Sequence, residues 1–239
     1  IYHDSPGTHS PHLAEKHGSW TRTKLENGTA NAESTVTWMP EGIWLTYGVS
    51  FTNLRYAHLH NGTWTSGAII EDADAGNHHD LSVNPVTGAP SAVFTRASDG
   101  KLYLASWDGA TWMIDPTPLA EVLPGAHVRL RFDPQGVAHV LFIDEAARLV
   151  LLHQTPQGFD AQVLDDSIAH SHVRLELTTD GRPAVAYVLR MLEGEIPGNP
   201  HPHEANQTLV FAAQSLNGWT RQTVAESVSG KTVIGSFDL

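Results

Sequence analysis

Apolar and polar positions alternate with a period of two over short stretches of the chain, as in "LSVNP", "PSAVFTR", "KLYLAS" and "TWMID" between residues 81 and 115. Successive side chains of a strand point to opposite faces, so this period predicts short β-strands. Gly, Asp, Asn and Pro punctuate the runs and favour tight turns, while signals for helix starts are nearly absent. The four runs read as an antiparallel meander, with strands A to D in chain order.

The same order of runs recurs. "HHDLSVNPVTGAPSAVF" from 78 aligns with "HVRLRFDPQGVAHVLF" from 127, with "HVRLELTTDGRPAVAY" from 172, and with an earlier copy opening "ESTVTWMPEGIWLTYG" at 33. Four strands in about 40 to 50 residues is the size of one propeller blade. The C-terminal "KTVIGSFDL" reads as a lone strand A, whereas "IYHD", "PHLAEK" and "SWTRTKLE" at the other end read as strands B, C and D. The predicted fold is therefore all-β: a single five-bladed propeller domain over residues 1–239, its ring closed by pairing C-terminal strand A with the N-terminal strands. Blades are expected at about 33–70, 78–117, 127–166 and 172–227, with the fifth made from 231–239 plus 1–26. Closure removes the unpaired edges of an open sheet; a β-sandwich is the competing reading. Through "GRPAVAY", "GAPSAVF" and the turns "NGTW", "DGATW" and "NGW", the chain resembles β-propeller repeat proteins in general. That resemblance implies an architecture and leaves the chemistry open.

Composition narrows the chemistry. With no cysteine, disulfides, thiolate metal sites and thiol nucleophiles are excluded, so a transition metal needs nitrogen and oxygen ligands. A formal charge of −12 argues against nucleic acid and anionic membranes as partners. There is no apolar run of membrane-spanning length and no signal-peptide pattern at the N-terminus, and the expected compartment is the periplasm or the secreted fraction. The 15 histidines, against 14 lysines and arginines together, are the anomaly.

In a four-stranded blade the D-to-A and B-to-C connections emerge at one end. His3, His9, His12, His78, His79, His127, His170, His172, His201 and His203 sort to that end, and His17, His58, His60, His139 and His153 fall in mid-strand or towards the other. His78, His127 and His172 occupy one repeat position at the start of strand A, where Glu33 stands in the preceding copy. Imidazoles meeting at a narrow axis suit a transition metal with an open coordination position. The expected metal ligands are therefore His78, His127, His172, Glu33, His3 and His170, with copper favoured over zinc or iron. A satisfied polar ring at a channel mouth is the structural alternative. The carboxylates Glu71, Asp72 and Asp74 are compatible with Ca²⁺ but do not match an EF-hand.

The first functional expectation is thus a metal-binding propeller for metal acquisition or metal-dependent catalysis. The alternatives are a glycan-binding lectin using the recurring Trp20, Trp64, Trp112 and Trp219, or a polysaccharide lyase or hydrolase using Tyr2, Tyr187 and Arg190. Whether the chain is an enzyme is left open, and a small-molecule or glycan partner is expected beside the metal ion.

Overall fold

The computed structural model describes residues 2–3, 11–17, 19–25, 30–40, 42–50, 52–71, 74–166, 170–190 and 207–227. The chain divides into two compact units, residues 1–83 with 89–121, and residues 84–88 with 122–239.

In the first unit, β1 (Tyr2–His3), β2 (Pro11–His17) and β3 (Ser19–Lys24) form a three-stranded sheet in chain order. A second sheet runs β4 (Ala30–Met39), β5 (Gly42–Val49), β6 (Asn53–His60) and β7 (Thr63–Ile70). A third contains β8 (Ala75–Val83), β9 (Pro90–Arg96), β10 (Lys101–Trp107) and β11 (Trp112–Ile114), with β12 (Ala120–Glu121) paired to one end of β10. The second unit holds two four-stranded sheets. One is β13 (Arg129–Phe132), β14 (Ala138–Ile143), β15 (Leu149–Thr155) and β16 (Gly158–Asp165); the other is β17 (His170–Leu177), β18 (Pro183–Arg190), β19 (Gln207–Ser215) and β20 (Gly218–Ser227). The pairings within these sheets are antiparallel. The all-β reading of repeated four-stranded antiparallel sheets therefore holds. Residues 231–239, the expected strand A of the closing sheet, lie outside the described residues.

Burial explains why the inner strands read as continuous apolar runs. Every residue of β14, "AHVLFI", is buried, as are the first six of β9, because these strands are covered on both faces. The fourth strand of a four-stranded sheet is the more exposed one: β16 buries only its last two residues. Within the first unit, Trp44, Leu54 and Ile69 pack against Leu81, Phe94, Tyr103 and Ala105 of the next sheet. Within the second, Leu141, Ile143, Leu149, Leu151 and Leu164 pack against Val173, Leu175, Val185, Tyr187 and Val210. Each such side chain contributes about 1.5–3 kcal/mol when fully buried.

One polar bond is built into this second core. The Tyr187 hydroxyl, on β18, donates to Asp165 Oδ2 at 2.6 Å, across from β16. Burial, reinforced by the carboxylate, raises the phenol pKa far above its ordinary value, so Tyr187 remains a hydrogen-bond donor. Tyr187 is thus a core strut joining two sheets.

Candidate functional site

The strand A starts do not repeat as a clean ladder. Register shifts fall between Ala30 and Ser34, between Ala75 and His79, and between Ser171 and Val173. Such bulges re-aim side chains. His172 sits in one of them with φ 51°, a left-handed conformation that is uncommon outside glycine. In the first unit, Glu33 lies with Oε1 3.4 Å from His78 Nδ1 and Oε2 3.3 Å from the backbone N–H of His79. His79 itself is 1% exposed, and burial holds its pKa below the ordinary imidazole value. In the second unit, His127 and His172 stack with ring centroids 5.7 Å apart and planes 28° from parallel. The side chains of His3 and His170 lie outside the described residues, as do those of Tyr2 and Arg190.

A different place in the fold carries more chemistry. In the first unit the cross-strand pair Trp44–His58 joins β5 to β6, and in the second unit His139–His153 joins β14 to β15 at the same place in its sheet. Counting outward from these pairs, Tyr56 corresponds to Leu151 and Gly67 to Gln162. On the facing sheets, Trp107–Trp112 corresponds to Gln214–Trp219.

These substitutions decide what fills each cleft. In the first unit Trp44 stacks on His58 at 3.9 Å, and Tyr56, Trp107 and Trp112 close around it with centroids 5.3–6.0 Å from the Trp44 ring. The fill is tight. A Cβ on Gly67 would stand 2.9 Å from the Tyr56 ring, and the indole nitrogen of Trp112 is buried without a hydrogen-bond partner. In the second unit His139, Leu151 and Gln214 stand where Trp44, Tyr56 and Trp107 stand in the first. The missing aromatic volume is left as a cavity of about 370 Å³, within the range of small-molecule sites.

The cavity wall is polar on an apolar floor. Leu151, Ala161, Gly181 and Pro183 supply the apolar part; Asp133, His139, His153, Asp160, Gln162 and Gln214 supply the polar part. Asp133 is held by the β13–β14 turn, its Oδ1 accepting from the backbone N–H groups of Gln135 at 2.9 Å and Val137 at 2.8 Å. Its Oδ2 lies 3.9 Å from His139 Nε2, beyond hydrogen-bond length. The His139 side chain is 6% exposed and neither ring nitrogen has a hydrogen-bond partner. Burial, with a smaller contribution from the charge of nearby His153, lowers its pKa, which keeps it neutral at pH 7. The His139 and His153 rings are 4.9 Å apart. Gln162 Oε1 accepts from the indole N–H of Trp219 at 3.1 Å. An indole can only donate, so the Gln162 amide is oriented and its NH₂ remains as a donor. The cavity therefore offers carboxylate acceptors, an imidazole and an oriented amide donor around an apolar floor, the mixture that recognises a polyhydroxylated ring.

From the sequence, His139 and His153 fall in mid-strand or towards the other end, away from the expected ligands. The signal was nevertheless present: in "VAHVLFID" a lone imidazole interrupts an otherwise apolar run, and buried polar groups without partners call for an explanation. Trp219, one of the recurring tryptophans, acts on the cavity through Gln162. Glu176 on β17 accepts from Arg131 on β13, at 2.7 and 3.1 Å.

No protein-family model matches the chain, and no curated protein matches it in sequence. Solved structures do match. AofleA from Arthrobotrys oligospora aligns with a TM-score of 0.61 and 13% identity over 91% of this chain and 65% of its own, so this chain spans just under two thirds of that protein's length. SapL1 lectin, solved with alpha methyl fucoside, aligns with a TM-score of 0.55 and 15% identity over 88% of this chain and 86% of its own. A lectin from Aleuria aurantia, described as a six-bladed β-propeller with a novel mode of fucose recognition, aligns with a TM-score of 0.51 and 9% identity over 93% and 88%. At such identities the likeness is one of fold. It overturns the expected function, a metal-binding propeller for copper, zinc or iron: SapL1 lectin and the Aleuria aurantia lectin are described through a fucoside and fucose, in line with the glycan-binding alternative. The chain is an all-β protein of repeated four-stranded antiparallel sheets whose structural neighbours are fucose-binding β-propeller lectins.

Proposed function

We propose that the chain is a glycan-binding lectin that takes a sugar ring into the cleft between the two sheets of its second unit. The observation that carries this reading is the contrast between equivalent clefts: aromatic rings fill one, and the other is left open with a polar lining around about 370 Å³. Apolar Leu151 and Pro183 suit the C–H face of a pyranose, while Asp133, Asp160, His153 and Gln162 suit its hydroxyls. The fucoside complex of SapL1 lectin supports sugar binding by this kind of fold.

The finer architecture belongs to the same proposal. Five blades closed into a ring is supported by the sequence repeat at 33, 78, 127 and 172 and by the N-terminal sheet, which among the described residues has three strands where the others have four or more.

The test is a glycan array probed with the wild-type chain and with Gln214→Trp, which copies Trp107 of the filled cleft. Wild type should bind a defined set of glycans, and the variant should lose them while retaining its melting temperature. Binding that survives the variant moves the site elsewhere; an array with no binding overturns the lectin reading.

A further inference from the structure

Resting on the sugar-binding reading above, we infer that the second-unit cavity selects sugars bearing a protonated amine over neutral sugars, and rejects carboxylated ones. The lining contains two carboxylates, Asp133 and Asp160, and neither lysine nor arginine. Asp133 is the key group. Its Oδ1 is committed to two backbone N–H groups, which fix the carboxylate in place and leave Oδ2 turned to His139 at 3.9 Å. The His139 side chain is buried, forms part of the cavity wall, and has no hydrogen-bond partner on either nitrogen. A neutral imidazole cannot cancel the charge of the carboxylate beside it.

Asp160 brings the second charge to the exposed lip, opposite His153 across the β15–β16 ladder. The corresponding residue of the filled cleft is Thr65, opposite His58, so the carboxylate goes with the open cleft. The two nearby guanidinium groups are paired. Arg182, next to cavity-lining Gly181, pairs with Asp180 at 2.6 Å, and Arg221 lies 3.4 Å from Asp165. An ammonium group offers three donors and a full charge where a hydroxyl offers one donor, and charge-assisted hydrogen bonds are roughly twice as strong as neutral ones.

The experiment titrates the full chain with methyl glycosides carrying a 2-amino or a 2-hydroxyl group, and with the methyl uronides, each in gluco and galacto form, at pH 7 and physiological salt. The amino glycosides should bind about tenfold tighter than their hydroxyl counterparts, with no binding of the uronides. Asp133→Asn keeps an oxygen for the turn, and Asp160→Asn changes only an exposed group. Each should reduce the preference, whereas Glu145→Gln, an exposed acid outside the cavity lining, should keep it. Equal binding of amino and hydroxyl glycosides overturns the inference and leaves the lectin reading standing. A preference that persists in Asp133→Asn/Asp160→Asn reflects general attraction to a chain of net charge −12 and also overturns it. If none of these glycosides binds, the inference falls, and the array result then decides separately whether the lectin reading falls with it.

Discussion

Replacing His139 with leucine should make the protein more stable. His139 is 5% exposed, and neither ring nitrogen has a hydrogen-bond partner or access to solvent. Burying a polar group in that state costs about 1–3 kcal/mol on the scale of protein substitutions. Leucine removes the cost and fits the apolar setting of Leu141 and Leu151, so a net gain of about 1–2 kcal/mol is expected, or about 2–8 °C in melting temperature for a chain of this size. The sign of the pH effect follows from the lowered imidazole pKa. Below pH 6.5 the unfolded chain takes up a proton that native His139 resists, so wild-type stability falls as pH drops through that window. His139→Leu lacks this contribution, and its advantage should widen from pH 7.5 to pH 5.5. Urea denaturation at the two pH values measures both effects. A variant less stable than wild type at pH 7.5, or an advantage that shrinks on acidification, would refute the reasoning. Because His139 forms part of the cavity wall, the stabilised variant should also bind sugar more weakly, the trade-off expected where a binding site is strained.

Three further outcomes follow from the same geometry. Tyr187→Phe leaves Asp165, 5% exposed, without its 2.6 Å donor and should cost about 1.5–3 kcal/mol in chemical denaturation. Gly67→Ala drives a methyl to 2.9 Å from the Tyr56 ring and should cost about 1–3 kcal/mol; adding Tyr56→Leu, after Leu151 of the open cleft, should recover part of that loss in a double-mutant cycle. His79, buried with a lowered pKa, should add to the acid-side loss of stability, so His79→Gln should flatten the dependence below pH 6.5 as followed by circular dichroism.

The strands were legible because the inner ones are short, alternating or wholly apolar, and bounded by turn residues. "PSAVFTR" and "KLYLAS" fall on β9 and β10 within a residue. The proposed cavity was not legible: the sequence assigns ten histidines to one end of the sheets and so points to the strand A starts, where bulges and the stacking of His127 on His172 set the local geometry. The cavity arises instead from aromatic residues that are missing: His139, Leu151 and Gln214 look unremarkable alone and become informative only beside Trp44, Tyr56 and Trp107. Seeing that correspondence requires the cross-strand register, which the bulges between Leu54 and Arg55 and between Leu149 and Val150 offset in the outer strands.

The most direct measurement is sugar binding by wild type and Gln214→Trp in solution, by calorimetric titration with the strongest glycan from the array. One sugar should occupy the second-unit cleft of each wild-type chain, and filling that cleft with the indole should abolish the heat of binding while the fold is retained. Unchanged affinity in a folded Gln214→Trp variant would contradict the claim that this cleft is the binding site.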